Sequence, residues 1–174
     1  MDECLMLTLV NNLRRSMSRR PLLLNTALRT AIQYHTQDMY SRRYFGHVNK
    51  QGKGVGFRVK RQRFRFLTVG ENIYRGTGNE NVVFRAWVNS PGHFKNLIDP
   101  EYALMGLGKT GQYWGQEFGT GRGGITYDPC RRSQRTNYPP RKRRPARYPG
   151  TQYLRQYPQR SQRSRVYPKR RRFS

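Results

Sequence analysis

Leucines at every fourth position form the first clear pattern in the chain. Leu5, Leu9 and Leu13 share one face of a helix, because a residue four positions on lies close to one full turn away. Polar residues between them would face solvent. This spacing predicts an amphipathic helix over residues 3–15.

A second apolar stripe follows after a short break. Asn25 belongs to a residue type favoured at helix N-caps, and Leu28, Ile32 and Met39 come after it at helical spacing. The stripe therefore predicts a second helix that begins at Asn25. His35 lies on the same apolar face, so we interpret it as a core histidine and not as a ligand.

Two shorter helical signals lie further along. Either Asn79 or Asn81 is suited to cap a third helix. Ser90 and Pro91 then form an N-cap followed by proline at the first helical position, where proline is well tolerated. This pair predicts a short helical turn that carries His93.

Strand signals gather toward the end of the domain. Residues 102–108 and 112–118 have strand-like patterns, and residues 109–111 join them as a hairpin. Residues 46–70 are rich in glycine and basic residues and have weak periodicity, so we predict a long loop there. Helices first and strands later favour an α+β fold over a doubly wound parallel sheet.

A basic run inside residues 46–70 permits three interpretations. Arg58, Lys60, Arg61, Arg63 and Arg65 alternate with Val59, Phe64 and Phe66. The run could be a strand with one basic face, a nucleic-acid-binding patch or a solvated stretch of charge.

The charge of the chain is large and unevenly distributed. The formal net charge is +26, and all 9 acidic residues lie in the first 130 positions. Residues 131–174 hold 16 lysines and arginines without an acid, a composition that cannot build a buried core. We therefore predict a domain over residues 1–128 and an extended, non-globular basic arm over residues 129–174 that attracts polyanions.

The arm also carries a Tyr-Pro repeat with spacings of 10, 9 and 10 residues, which suits an arm laid along a repeating or extended surface. Arginine outnumbers lysine there, and its forked guanidinium matches phosphate and carboxylate groups. The residues predicted to bind such a partner are Arg141, Lys142, Arg143, Arg144, Arg147, Tyr148, Tyr157, Tyr167, Lys169, Arg170, Arg171 and Arg172.

The compartment has to be inferred from weak signals. No basic region followed by an apolar run opens the sequence, and no segment approaches the roughly 20 apolar residues that span a bilayer. We therefore predict no secretion by a recognisable signal and no transmembrane segment. Without an export signal, we interpret Cys4 and Cys130 as unpaired thiols, with a disulfide between them as the alternative.

Several short motifs in a fixed order carry a family resemblance. They are Leu9-Val10-Asn11-Asn12-Leu13-Arg14, Tyr44-Phe45-Gly46-His47, Gly70-Glu71-Asn72-Ile73, Trp87 through Ser90-Pro91-Gly92-His93, and Gly106-Leu107-Gly108 with Tyr113 through Gly119. Together they make residues 5–119 resemble a CAP domain (the cysteine-rich secretory, antigen 5, pathogenesis-related-1 superfamily), most closely its bacterial-type branch. The resemblance implies a three-layer α-β-α sandwich with a mainly antiparallel sheet.

The resemblance also implies a cleft with a pair of histidines and one or two acids. His47 and Glu71 match the first histidine and the glutamate of that cleft, and His93 matches the histidine of the bacterial Ser-Pro-Gly-His motif. Other branches have a second acid and a second histidine where this chain has Ser90 and Tyr113. The three remaining side chains could bind Zn²⁺, act as an acid–base pair or brace loops as a hydrogen-bonded cluster. Because no activated nucleophile is evident, none of the three is assigned as catalytic.

These features favour a non-enzymatic assembly protein, whose CAP-like head is anchored by the basic arm in a large particle, a virion or an intracellular ribonucleoprotein. The partner of the arm would be nucleic acid, through phosphate contacts and base stacking, or an acidic protein surface. The alternative is a cleft protein whose His/Glu metal site makes it a hydrolase or a binder of a small lipid-like ligand. Binding to an anionic membrane surface is a weaker option, because no inserting segment is evident.

Overall fold

A computed structural model describes residues 1–131 of the chain. The predictions about the Tyr-Pro repeat and the polyanion-binding residues of the arm lie outside the described residues. The boundary between residues 128 and 129 stays a prediction.

The described residues alternate helices and strands and place every strand in one sheet. The helices are α1 (Glu3–Ser16), α2 (Thr26–Ser41), α3 (Val55–Arg61), α4 (Glu80–Val88) and α5 (Pro91–Ile98). The strands are β1 (Leu23–Asn25), β2 (Arg65–Arg75), β3 (Leu104–Thr110), β4 (Tyr113–Arg122) and β5 (Thr126–Tyr127). The sheet order is β2-β4-β3-β1-β5, with β1 and β3 parallel and the other neighbours antiparallel. The predicted α+β class with a mainly antiparallel sheet is confirmed.

Side-chain caps fix where most helices begin. The Asn25 side chain accepts from the Ala27 amide at 2.9 Å, and Asn79, not Asn81, caps α4. Asp2 caps α1 by accepting from the amide of Leu5 at 2.9 Å. Each cap satisfies a backbone amide that has no partner inside its own helix. The predicted starts of α2 and α4 are therefore confirmed.

Apolar side chains on both faces of the sheet make three layers. On one face, α1, α4 and α5 contribute Met6, Trp87 and Leu97 to a buried cluster with the sheet. On the other face, α2 and α3 bury Leu28 and Val59. At Gly106 of β3, a Cβ atom would come within 2.2 Å of the backbone of α2, so glycine is required for this approach. The sheet is thus covered on both sides, as the α-β-α prediction requires.

Two local predictions were wrong. The long loop predicted over residues 46–70 contains α3 and the first half of β2. Helix α3 forms because Val55, Arg58 and Val59 share an inward face, a pattern that the neighbouring glycines obscure in the sequence. The predicted hairpin between β3 and β4 is confirmed, but the bounds of its turn were wrong. The turn is residues 111–112 and not 109–111, and Gly111 has a φ of +56°, which favours glycine.

The interpretation of the cysteines as unpaired thiols was also wrong. Cys4 and Cys130 form a disulfide, with their Cα atoms 5.0 Å apart. They meet because β5 pairs with β1 beside the start of α1, where the Tyr127 hydroxyl donates to Glu3 Oε2 at 3.1 Å. The disulfide therefore joins the first helix to the last described residues.

Candidate functional site

The three predicted cleft residues gather around β2, which lies at the edge of the sheet. Glu71 and Asn72 are consecutive on this strand, so their side chains point to opposite faces. Glu71 faces α3 and the loop that carries His47. Asn72 faces α5 and donates to the backbone oxygen of His93 at 3.2 Å. The cleft therefore wraps around the free edge of β2.

Glu71 is the centre of this site. Its side chain is 2% exposed, and both of its carboxylate oxygens are occupied. His47 Nδ1 donates to Oε1 at 2.7 Å, and Arg58 Nη2 donates to Oε2. The same guanidinium donates to the backbone oxygens of His47 at 3.0 Å and Lys53 at 3.1 Å. Arg58 thus holds both the carboxylate and the loop that carries His47.

A second buried acid lies behind the first. Glu117 of β4 stands opposite Glu71 in the antiparallel register and is fully buried. Its Oε1 lies 3.5 Å from Arg58 Nε, and neither of its oxygens has a hydrogen-bond partner among residues 1–131. Burial, and then the charge of Glu71, raise the pKa of Glu117 well above its ordinary value. Glu117 therefore holds its proton more firmly than an ordinary glutamate, and Arg58 hydrogen-bonds the other carboxyl group, Glu71.

The pKa values of the two cleft histidines are shifted in opposite directions. The His47 side chain is 57% exposed, and its hydrogen bond to Glu71 raises its pKa. Partial burial lowers the pKa of His93, and the positive charge of His47 adds to that effect. At a pH between the two pKa values, His47 is accordingly the cationic member of the pair and His93 the neutral one.

The third histidine supports the site from inside. His35 is buried, as predicted, and its Nε2 donates to the Gly46 oxygen at 2.9 Å, next to His47 in the chain. The distance from His35 Nε2 to Glu71 Oε1 is 4.0 Å. Burial lowers the pKa of His35, so it stays neutral and braces the loop.

Amides close the opposite side of the cleft. Asn96 of α5 donates to the Glu71 backbone oxygen at 3.1 Å and to Asn72 Oδ1 at 2.8 Å. Asn72 in turn lies 3.3 Å from Gln116 Oε1 on β4. These bonds fix α5, and with it His93, against the edge strand.

The predicted zinc ligands do not fit a three-ligand site. Glu71 has both oxygens turned toward Arg58 and His47, and the His47 nitrogen nearest to it is already used in that contact. Among the described residues, no group of three His, Cys, Asp or Glu side chains is placed to hold a metal ion. A zinc ligand set needs free lone pairs that converge on one point. The arrangement is instead a hydrogen-bonded and ionic cluster.

The two departures from the family pattern have structural roles here. Ser90 is at the N-cap of α5, although its side chain makes no cap hydrogen bond. Tyr113 is buried and lies 6.4 Å from the ring of Phe45, measured between ring centres. Neither residue supplies a carboxylate or an imidazole to the cleft.

Sequence reasoning missed Arg58 and Glu117 as members of the site. Arg58 stood in a basic run, and the only sign of its burial was its position between Val55 and Val59 on one helical face. Glu117 stood inside a recognised motif, and its alternation with Phe118 on β4 could have placed it on the same face as Glu71. Both residues are recognisable only once α3 and the β2–β4 register are known.

None of the helices in the described part of the chain is both long and apolar enough to cross a bilayer.

Comparison with known proteins agrees with this architecture. The uncharacterized protein YkwD of Bacillus subtilis (strain 168) is 31% identical over 112 residues, which cover 63% of this chain and 44% of that protein. The uncharacterized membrane protein YlbC of the same organism is 32% identical over 84 residues, covering 48% of this chain and 24% of that protein. The chain thus matches less than half the length of either relative.

Solved structures show the same fold. An extracellular protein containing an SCP domain from Bacillus anthracis superposes with a TM-score of 0.64 and 26% identity, over 66% of this chain and 38% of that one. An outer surface protein from Borrelia burgdorferi superposes with a TM-score of 0.61 and 20% identity, over 68% of this chain and 91% of that one. Residues 7–120 match CAP, the cysteine-rich secretory protein family. The chain therefore belongs to the CAP family.

Proposed function

We propose that this chain is a non-enzymatic assembly protein, in which the CAP domain is a folded head that the basic arm anchors in a large particle. The observation that carries the proposal is the charge distribution: residues 131–174 hold 16 basic residues and no acid. Such a segment gains little by folding on itself and much by neutralising an anionic partner. The arm is thus the part of the chain suited to hold it in place.

The geometry of the cleft supports a structural role for the head. Glu71, the central carboxylate, is buried and paired with Arg58, which also holds the loop that precedes α3. An active carboxylate would need access to a substrate or a metal ion. Here its bonds link β2, α3 and the His47 loop, and they stabilise the fold.

The chemistry of the arm points to phosphate or carboxylate partners. Nucleic acid offers both phosphates for the arginines and bases on which the arm tyrosines would stack. An acidic protein surface offers carboxylates alone. The regular tyrosines favour nucleic acid as the first partner to test.

The disulfide bears on the kind of particle. Structural disulfides persist in oxidising surroundings and are rare in reducing cytosol. The Cys4–Cys130 bond therefore supports a virion, which leaves the cell, over an intracellular ribonucleoprotein. The two solved relatives are described as extracellular and outer-surface proteins, which agrees with an oxidising environment.

The opposite pKa shifts of His47 and His93 favour a second candidate function. A cationic and a neutral imidazole on one cleft are suited to act as acid and base, or to bind a small anionic group. In this candidate, the cleft takes a small ligand and the arm only localises the protein.

One binding experiment tests the anchoring role of the arm. The full chain is titrated against mixed nucleic acid over a salt series, beside an arm variant and a cleft variant, His47→Asn with His93→Asn. In the arm variant, glutamine replaces Arg141, Lys142, Arg143, Arg144, Lys169, Arg170, Arg171 and Arg172. Glu71 is left intact, because its removal would leave the buried Arg58 charge without a partner.

We expect the arm variant to bind much more weakly and with a lower salt dependence, by about 0.9 in log–log slope per lost duplex phosphate contact. The cleft variant should bind like the wild type. Equal binding by the arm variant and the wild type would exclude the anchoring role. A loss confined to the cleft variant would also contradict the anchoring role, because the nucleic acid would then bind at the cleft and not at the arm.

A further inference from the structure

One segment of the head combines dense positive charge with few acids. Over residues 42–75 there are 10 lysines and arginines and a single acid, Glu71. Glu71 is buried and bonded to Arg58, so it does not offset the charge at the surface. Arg42 is neutralised by Asp38 at 2.8 Å. Apart from Arg42, Arg58 and His47, none of the cations in this segment is in an ion pair with another of residues 1–131.

The same segment exposes aromatic rings. Phe45 is 45% exposed and Phe57 is 43% exposed, so part of each ring is open to a ligand. Cations lie against these and two neighbouring rings: Lys53 and Arg61 over Phe57 at 5.0 and 6.0 Å, Lys60 over Phe66 at 5.4 Å, Arg75 over Phe45 at 5.8 Å and Lys50 over Tyr44 at 5.9 Å. We call this set of residues the basic aromatic face.

The basic aromatic face is held in shape from below. Arg58 ties the loop that precedes α3 to the helix by donating to the backbone oxygens of His47 and Lys53. The Phe66 ring packs against α3 at Gly56, where an added Cβ would lie 3.2 Å from the ring. The rings and cations are therefore presented by a braced scaffold, which reduces the entropy lost when a ligand binds.

We propose that the basic aromatic face binds single-stranded nucleic acid, with bases stacked on Phe45 and Phe57 and the surrounding lysines and arginines on phosphates. Proteins that bind single strands combine these two elements, a cationic surface along the backbone and aromatic platforms for bases. A duplex hides its base faces, so exposed rings favour an unpaired strand. An acidic protein would use the cations but would have no need of the exposed rings.

This site goes beyond the anchoring role of the arm and does not depend on it. It would give the head its own contact with the nucleic acid, placed next to the His47 loop. Two linked contacts on one strand bind more tightly than either alone, since the second contact becomes intramolecular.

The test uses the full chain in the background of the glutamine arm variant, so that the arm does not mask the head. The probe is a fluorescent single strand of about 12 nucleotides, within the usual range of site sizes, made as both RNA and DNA. The variants are Phe57→Ala, Phe57→Leu, Phe57→Tyr, and Lys60→Gln with Arg61→Gln. Arg15→Gln with Arg85→Gln removes equal charge from exposed positions on α1 and α4 and is the matched control.

We expect Phe57→Ala to weaken binding roughly tenfold, the effect of one lost stacked base, with the salt slope unchanged. Phe57→Leu should bind the oligonucleotide as weakly as Phe57→Ala does. Phe57→Tyr should bind it as tightly as the parent does. Loss of Lys60 and Arg61 should lower the log–log slope by about 1.4, at about 0.7 per phosphate of a single strand. The control pair should leave both the affinity and the salt slope unchanged. Binding of either RNA or DNA supports the proposal. The ratio of the two affinities shows which kind of strand the face prefers.

Three results would overturn the proposal. The first is equal binding by Phe57→Ala and its parent, because no base would then stack there. The second is an equal effect of the control pair and the Lys60/Arg61 pair, because only net charge would then matter. The third is equal affinity for poly-glutamate and the oligonucleotide, which would indicate an acidic protein partner. All three are separate from the anchoring test, which compares the arm variant with the wild type.

Discussion

Arg58 lies between two buried carboxyl groups and forms a hydrogen bond with only one of them. Its Nη2 donates to Glu71, while its Nε is 3.5 Å from Glu117 without a hydrogen bond. Two buried carboxylates close together cannot both ionise cheaply. The less well bonded one, Glu117, therefore keeps its proton.

The first prediction concerns Glu117→Gln. Because the folded-state pKa of Glu117 is raised, its stabilising contribution is complete below the ordinary glutamate pKa and is lost as pH rises through the folded value. Glutamine cannot ionise, so the variant should be more stable than the wild type at pH 7, by at least about 1 kcal/mol, the equivalent of one pKa unit. The two should be equally stable near pH 4. Urea unfolding from pH 4 to 8 measures this.

The matched control for this prediction is Glu101→Gln, which changes an exposed glutamate. Its free energy of unfolding should equal that of the wild type at every pH. If Glu117→Gln instead destabilised the protein by the same amount at all pH values, Glu117 would be ionised in the fold and the assignment of the proton would be wrong.

The role of single residues was the hardest part to read from the sequence. His47, Glu71 and His93 were found through motifs, and the structure places them around one strand edge. The role of Arg58 could not be found in this way, because a buried and a solvated arginine are identical in a basic run. Its role depends on the packing of α3 against the sheet, which no local pattern encodes.

Helix α1 is held to the rest of the domain by one arginine near its end. Arg14 is fully buried, and its guanidinium donates to the backbone oxygens of four residues. These are Arg20 at 2.7 Å, Leu97 at 2.9 Å, Asp99 at 3.0 Å and Tyr102 at 3.1 Å. Burial lowers the pKa of Arg14 to about 10, which leaves it charged at neutral pH. The residue links α1 to the end of α5 and to the segment before β3.

The second prediction is that Arg14→Lys destabilises the domain strongly. Lysine has one nitrogen and cannot reach four oxygens in different directions, so buried carbonyls would lose their partners. The expected loss of unfolding free energy is about 3 kcal/mol or more. Arg15→Lys is the control, since Arg15 is exposed and contacts Asn12 only at the surface. Similar urea midpoints for the two variants would show that the Arg14 bonds contribute little.

At the scale of elements, sequence reasoning succeeded where a signal is local. The caps Asn25 and Asn79 and the stripe of α2 gave correct helices, because each depends on neighbours within one or two turns. It failed for α3, where glycines hide the periodicity, and for β1 and β5, which have two or three residues each. Strands that short exist only because partners elsewhere in the chain pair with them.

At the scale of the whole molecule, the disulfide and the arm are adjacent in the sequence. Cys130 lies next to the end of the described residues, where the basic arm continues. Without the disulfide, this end would be held to the sheet mainly by β5, which pairs with β1 through two residue pairs. If the arm is anchored to a particle, any pull on it reaches the head here. The disulfide then directs that load to α1 instead of to two short strands.

The last prediction concerns the Cys4→Ser/Cys130→Ser variant. The bond closes a loop of 126 residues, so its removal should lower the unfolding free energy by about 4 kcal/mol, mainly by freeing the unfolded chain. Urea unfolding with and without a strong reductant measures this. The wild type in reductant should match the variant, and the variant should not respond to reductant. Coincident midpoints for the oxidised wild type and the variant would show that the bond does not constrain the domain.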